Sequence, residues 1–266
     1  MTIEQLRQPV KAEYDRSVQE YHSRMLGEAT ILNEVSSHLA AHPGKMLRPL
    51  LVLLSAKACG TLNDKHILLA TAMEMLHNAT LMHDDVVDES DTRRGNRSVR
   101  GQWGNQVAVL CGDYYLSQTM QLLQQVGDPK ATALVAETVS LMTQGELMQL
   151  AATRNSQQTT ANSQQTTLDE YLKVIGLKTA SLMACCCQLG GMERDFGYHY
   201  GMLFQMRDDL GSLDPRHDIA IPDNTNPQTL IADHTRLASE ALDALPHSEA
   251  RETLRSLLLP SAPQPS

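Results

Sequence analysis

The sequence predicts an all-α fold, a large single-domain helical bundle spanning residues 1–266. Three observations point there. Apolar residues recur at helical spacing over long stretches, those stretches lack Pro, Gly and clustered β-branched residues, and no β-hairpin signal interrupts them. With 266 residues, 42% hydrophobic and 20% charged, the chain can bury a full core and is not a disordered one.

The elements follow in order. The first helix, 11–41, ends before Pro43-Gly44. The second, 46–59, has Pro49 in its first turn and Gly60 beyond its end. The third, 64–92, runs up to Arg94-Gly95-Asn96, and the fourth, 105–126, stops at Gly127-Asp128. Helices over 129–152 and 168–190 flank a stretch in which NSQQTT occurs twice, at 155–160 and 162–167. That polar, uncharged duplication makes 153–167 a surface loop. Gly190-Gly191 separates 168–190 from 193–213, Pro215 ends the latter, and 228–244 and 248–258 complete the set.

Composition narrows the function. With 22 Lys and Arg against 31 Asp and Glu the net charge is −9, which argues against a general nucleic-acid binder. Only 4% of residues are aromatic, too few for base-stacking platforms. No apolar run approaches the ~18 residues of a transmembrane segment, and the opening MTIEQLRQPVKAEYDR has no signal-peptide core. Five Cys, three of them consecutive at 185–187, suit neither disulfides nor a zinc knuckle. They read as small apolar fillers in a reducing compartment, so the expected location is cytoplasmic.

The chemistry concentrates in HNATLMHDDVVDESDTRRG, residues 77–95. Asp84 and Asp88 are four apart and share a helix face, and Asp85 lies beside them. Three neighbouring carboxylates destabilise a helix, and a hard divalent cation such as Mg²⁺, with its preference for oxygen ligands and substrate phosphates, relieves them. A solvated acidic helix end is the bland alternative. Arg93 and Arg94 follow, and Lys45 and Arg48 form a second cationic pair in GKMLRP. Cations and metal together hold transferring phosphates. A second acidic pair, Asp208-Asp209, ends another apolar helix, and Lys178 lies on a third.

Together these motifs resemble the trans-isoprenyl diphosphate synthases of the polyprenyl synthetase family, over roughly residues 20–214. GKMLRP is similar to the family's GGK-x-x-RP segment with Pro43 in place of the first Gly. DDVVD is similar to its first aspartate-rich motif, and RRG, GDYYLSQ, KTAS and FQMRDD follow in family order. The resemblance implies that Lys45, Arg48, His77 and Arg94 bind isopentenyl diphosphate. It implies that Asp84, Asp85, Asp88 and Asp208, with Asp209 nearby, carry Mg²⁺, that Arg93 and Lys178 hold the allylic diphosphate, and that Thr179 and Gln205 line the reacting end. His83, Asp113 and Glu146 take supporting roles. The implied reaction is head-to-tail condensation of the two diphosphates by ionisation of the allylic carbon–oxygen bond.

Ala79 and Thr80, before the first motif, leave room for a long tail, and Met73, Met75 or Met120 is expected to form a deeper floor. The product would partition to the membrane. A homodimer is expected, with helix 105–126 offering the interface and a heteromer as the alternative.

The second motif departs from the family pattern. It reads Asp208-Asp209-Leu210-Gly211-Ser212, so Ser212 stands where the pattern has a last Asp, and Asp214 falls ~200° round the helix from there. No Lys follows Lys178, and the stretch from 215 to 266 reads as a shortened C-terminal region. Two readings stay open: a working but slowed synthase, or an impaired homologue that binds diphosphate or pairs with an active subunit. A terpene cyclase would not need Lys45, Arg48 and His77, and a metal phosphohydrolase using His77, His83 and Asp84 would leave the other motifs unexplained.

Overall fold

The computed structural model describes residues 2–93, 95–158, 167–211 and 219–259, the side chains of 155–158 excepted. The fold is all-α. A short helix α1 (Ile3–Arg7) and a 3₁₀ turn (Gln8–Val10) lead into α2 (Lys11–Arg24), α3 (Thr30–Ala41), α4 (Leu47–Ala58) and α5 (Asp64–Val87). A two-stranded hairpin, β1 (Thr92–Arg93) and β2 (Asn96–Arg97), precedes α6 (Val99–Trp103), α7 (Asn105–Val126) and α8 (Pro129–Gln158). Then come α9 (Leu168–Ile175), a π-helical turn (Gly176–Ala180), α10 (Ser181–Leu189), α11 (Arg194–Gly211), α12 (Pro227–Asp243) and α13 (Glu249–Ser256).

The central helix is α5. Asn63 caps it, its side-chain oxygen accepting from the Lys65 amide at 3.0 Å. Between Ile67 and Leu76 it is buried on nearly every side, because α2, α4 and α7 all pack against it. Ala70, Ala72, Met73 and Met75 are fully enclosed. One apolar cluster joins α1 to α13 through Leu50, Leu53, Tyr115, Cys186 and Leu254. A smaller one, Tyr171, Val174, Ile175, Met202 and Met206, fixes α9 and the π turn against α11. The three consecutive cysteines are buried fillers of the large core, free of disulfides.

The structure corrects several element boundaries. The span 11–41 is two helices, because the chain turns at Gly27. Asn33 ties that turn at both ends, accepting from the Gly27 amide at 3.1 Å and donating to its carbonyl at 2.9 Å. The Tyr114 hydroxyl donates to the Leu26 carbonyl at 2.7 Å. These ties are side-chain contacts, one of them from Tyr114 far along the chain, so helical periodicity alone does not find the break. The span 64–92 stops at Val87, and Glu89, in the left-handed region (φ 51°), turns the chain into the hairpin. That hairpin overturns the expectation of none: Thr92 pairs with Arg97 and Arg93 with Asn96, two residues a side, too short to show an alternating pattern.

The helix expected over 129–152 continues to Gln158, into the first copy of the duplicated hexapeptide. Residues 159–166 of the surface loop expected at 153–167 lie outside the described residues, and Thr167 caps α9. The span 168–190 contains the π turn. It also corrects the reading that no stretch could cross a membrane: Leu168–Leu189 is long and apolar enough by composition, and two-thirds of its most apolar window is buried in the bundle. Ser212, Asp214 and Pro215 lie outside the described residues.

On α7, Gly112 leaves room for the His83 ring of α5, whose Nε2 would stand 2.3 Å from a Cβ there. The ring is the far end of a partly exposed side chain and can turn aside, and alanine favours the helix, so Gly112→Ala should change stability by less than about 1 kcal/mol in urea denaturation. A loss of about 2 kcal/mol or more, recovered by adding His83→Ala, would refute this account of the α5–α7 contact.

Candidate active site

The last turn of α5 presents carboxylates in two directions. Asp84 and Asp88 lie one turn apart, the Asp88 amide donating to the Asp84 carbonyl at 2.8 Å. Their electrostatic neighbours are Glu146 on α8 and Lys178 in the π turn. Lys178 Nζ meets Glu146 Oε2 at 2.7 Å. Burial, then the charges of Glu146 and Asp88, push the Asp84 carboxyl up to about 7 against the pull of Lys178 and Arg93. Burial works against the Lys178 ammonium, but Glu146, Asp84 and Asp88 outweigh it and hold it above its ordinary value.

Asp85 faces the other way. It is buried, and Arg93 donates to its Oδ1 from Nε at 2.9 Å and Nη2 at 2.8 Å. Burial raises its carboxyl, and Arg93 lowers it. The hairpin makes this pair by folding Arg93 back onto α5. Of the three aspartates expected to carry metal, Asp84 and Asp88 thus share one side with Lys178, and Asp85 pairs with Arg93. The helical angle between neighbours, ~100°, is the reason.

Across from Asp84, residues of α9, the π turn and α11 form a hydrogen-bonded row. Thr179 Oγ1 donates to Gln205 Oε1 at 2.7 Å, Gln205 Nε2 to Asp209 Oδ1 at 2.7 Å, and the Tyr171 hydroxyl to Asp209 Oδ2 at 2.6 Å. Asp209 is thus occupied on both oxygens, while Asp208 is half-buried beside it. Burial and the Asp209 charge drive the Tyr171 hydroxyl far up, so it stays a donor. The π turn widens the helix where Lys178 and Thr179 emerge, as such turns often do at functional sites.

On the Asp85 side lies a cavity of about 560 Å³ between the 42–46 loop, α5 and the hairpin. Lys45, Asp85, Arg93 and Arg97 line it, and so does Arg7 from the unanticipated α1. Lys45 is presented by Met46, whose left-handed backbone (φ 49°, ψ 51°) precedes α4. Such a strained residue next to a ligand-facing lysine fits a functional loop. Of Lys45, Arg48 and His77, the described members of the set expected to form one diphosphate site, Lys45 lines this cavity. The Arg48 guanidinium lies 5.9 Å from the Phe204 ring centroid, over its face, and His77 is buried in α5. Arg94 lies outside the described residues.

Sequence reasoning missed Arg7, Arg97 and Tyr171. Only a lone charge or ring marked each, and their roles arise from elements brought together by the fold. Of the expected floor residues, Met73 and Met75 are enclosed, but Met120 is 61% exposed on α7 and lines no interior path. Ala79 is buried beneath the site and Thr80 half-buried beside it.

The donors around Lys178 are hard carboxylate oxygens, those of Glu146, Asp84 and Asp88. This suits Mg²⁺, which takes one or two carboxylates and fills its remaining positions with water and phosphate oxygens. Among the described residues no three such side chains converge to hold a metal by themselves.

Residues 29–217 match the family described as Polyprenyl synthetase. The octaprenyl diphosphate synthase of Escherichia coli is 32% identical over 194 residues, 69% of this chain and 58% of that protein. Heptaprenyl diphosphate synthase component 2 of Geobacillus stearothermophilus is 34% identical over 214 residues, 76% of this chain and 62% of that protein. The chain thus spans about three-fifths of the length of these curated relatives. Among solved structures, a decaprenyl diphosphate synthase from Rhodobacter capsulatus superposes with a TM-score of 0.84 at 26% identity, covering 97% of each chain. A polyprenyl synthase from Caulobacter crescentus, complexed with calcium and isoprenyl diphosphate, gives 0.82 at 25% identity, covering 97% of this chain and 96% of that one.

The raised Asp84 carboxyl has a consequence for stability. Its folded value, about 7, exceeds the unfolded carboxylate value, so the folded state holds the extra proton and stability falls as pH rises from about 4 through 7. In chelator, Asp84→Asn should therefore stabilise the protein by about 1–3 kcal/mol at pH 8 and much less at pH 5. Thermal melts of both proteins at both pH values check this; equal effects at the two would contradict it.

Proposed function

This chain belongs to the polyprenyl synthetase family, and from that premise we propose that it condenses isopentenyl diphosphate with an allylic diphosphate, head to tail, into a polyprenyl diphosphate. The observation that carries the reading is the two-sided end of α5. One side offers Asp84 and Asp88 with Lys178; the other offers the cavity of Lys45, Arg93 and Arg97. Two diphosphates can thus sit on either side of one helix end, with their hydrocarbon parts directed toward each other.

Asp84, Asp85, Asp88 and Asp208 are the residues that would hold Mg²⁺, which would supply positive charge to the leaving diphosphate. Lys178 binds the same diphosphate. Breaking the allylic carbon–oxygen bond leaves the electron pair on that diphosphate and a cation on the hydrocarbon. The alkene of isopentenyl diphosphate forms the new carbon–carbon bond, and a proton then leaves to the released diphosphate, so no protein base is required. Thr179 and Gln205, held by Asp209 and Tyr171, flank the reacting carbon and keep water from it. Arg93, paired with Asp85 and acting on Asp84 as well, holds the allylic diphosphate with Lys178. In this reading, Lys45, Arg48, His77 and Arg94 bind isopentenyl diphosphate.

Ala79 and Thr80 leave the space below the site unblocked by a ring, which favours a medium or long product. A cytoplasmic enzyme passing its product to a membrane, and working as a homodimer, fits this reading. A second reading has the chain as one subunit of a heteromeric synthase. It is favoured by the component-2 relative and by the altered sequence after Asp209.

Incubation with Mg²⁺, farnesyl diphosphate and labelled isopentenyl diphosphate, followed by sizing of the extracted products, tests the proposal. Products longer than the primer are expected, with Asp84→Ala lowering turnover by about a hundredfold or more. Binding of diphosphate without any product from the chain alone would overturn the homomeric enzyme in favour of the subunit reading.

A further inference from the structure

Glu146 is the one carboxylate at this site that comes from α8, and the backbone brings it there deliberately. At Gly145 a Cβ would lie 2.7 Å from the Lys178 amide nitrogen and 2.9 Å from Leu177 Cβ. Only glycine lets α8 touch the π turn this closely, and the next residue on α8 is then set against the Lys178 side chain. The result is the 2.7 Å contact between Lys178 Nζ and Glu146 Oε2, with both side chains largely shielded (26% and 19% exposed). Asp84 and Asp88 act on the same ammonium, so one cation is shared among three carboxylates.

We propose that Glu146 is a positioning residue for the diphosphate site: in the free protein it holds Lys178 in a resting ion pair, and Lys178 exchanges this carboxylate for the arriving diphosphate. The inference rests on the reading of Asp84, Asp88 and Lys178 as a diphosphate site. It follows from charge and reach. A lysine side chain keeps one ammonium on a flexible stem and can turn between two anions without moving the backbone. Held at 2.7 Å by a carboxylate, it is partly neutralised toward a second anion, and that carboxylate also repels the newcomer. Without a divalent cation, Glu146, Asp84 and Asp88 together disfavour diphosphate; with one, the balance reverses. Glu146 therefore sets how strongly diphosphate binding depends on metal. As a structural ion pair alone it would leave that dependence unchanged.

The test is calorimetric titration of the full chain with inorganic diphosphate, in chelator and in Mg²⁺. In chelator, Glu146→Gln should bind diphosphate about tenfold tighter than the wild type. Its gain on adding Mg²⁺ should shrink correspondingly. Asp84 and Asp88 still balance Lys178 in this variant, and a thermal melt checks that it is folded. Glu146→Asp, which retains the charge, should stay within about threefold of the wild type in chelator. In a Lys178→Gln background the gain from Glu146→Gln should largely disappear, because the effect runs through Lys178.

Unchanged or weaker binding by Glu146→Gln in chelator would overturn the proposal. So would a complete loss of the Mg²⁺-dependent increment in that variant, which would make Glu146 a metal ligand instead. If the wild type binds no diphosphate with or without Mg²⁺, the diphosphate-site reading itself fails, an outcome distinct from either.

Discussion

A single half-buried ammonium among carboxylates organises the site. Lys178 stands between Glu146 and the Asp84–Asp88 face of α5, and each of these comes from a different helix. Three carboxylates with one fixed cation are costly where water is scarce, because each charge loses hydration that its neighbours repay incompletely. The fold tolerates this because the long apolar stretch of α5 is enclosed by α2, α4 and α7, which fixes the charged last turn in place. The stability sits in the core and the strain sits at the rim.

From that arrangement the two sides of α5 differ in charge. The face bearing Asp84 and Asp88 has an excess of negative charge and suits a divalent cation with a diphosphate. Asp85 is paired with Arg93, and its side opens on a cavity lined by Arg7, Lys45 and Arg97 together with the buried Glu74. An ionising reaction needs this asymmetry: charge stabilisation on the leaving group, and an uncharged region between the two anions where the carbon–carbon bond forms. The row from Tyr171 through Asp209 and Gln205 to Thr179 is held by its own hydrogen bonds, and both Asp209 oxygens accept within it.

Much of this was legible in the residues themselves. Helical periodicity located α4, α7, α11, α12 and α13 within a few residues, because each has an apolar face bounded by Gly or Pro. The break at Gly27, the short α1, the four-residue hairpin and the π turn were not legible, because each depends on contacts across the fold rather than on its own pattern. The same division holds at the site. The spacing of Asp84 and Asp88, the basic residues of GKMLRP and Lys178 pointed to the chemistry proposed above. Nothing in the spacing distinguished Asp85, whose partner is set by the fold of the hairpin.

What the sequence by itself determined is therefore the class of fold and the set of charged groups, since both follow from local periodicity and from side-chain chemistry. What only the tertiary structure decided is the partner of each charge: Asp85 with Arg93, Glu146 with Lys178, Asp209 with Gln205 and Tyr171. Electrostatic interactions in a low-dielectric site depend on separations of a few ångströms between distant segments. Those separations are set by how the helices pack, in places by a single glycine, and no spacing along the chain encodes them.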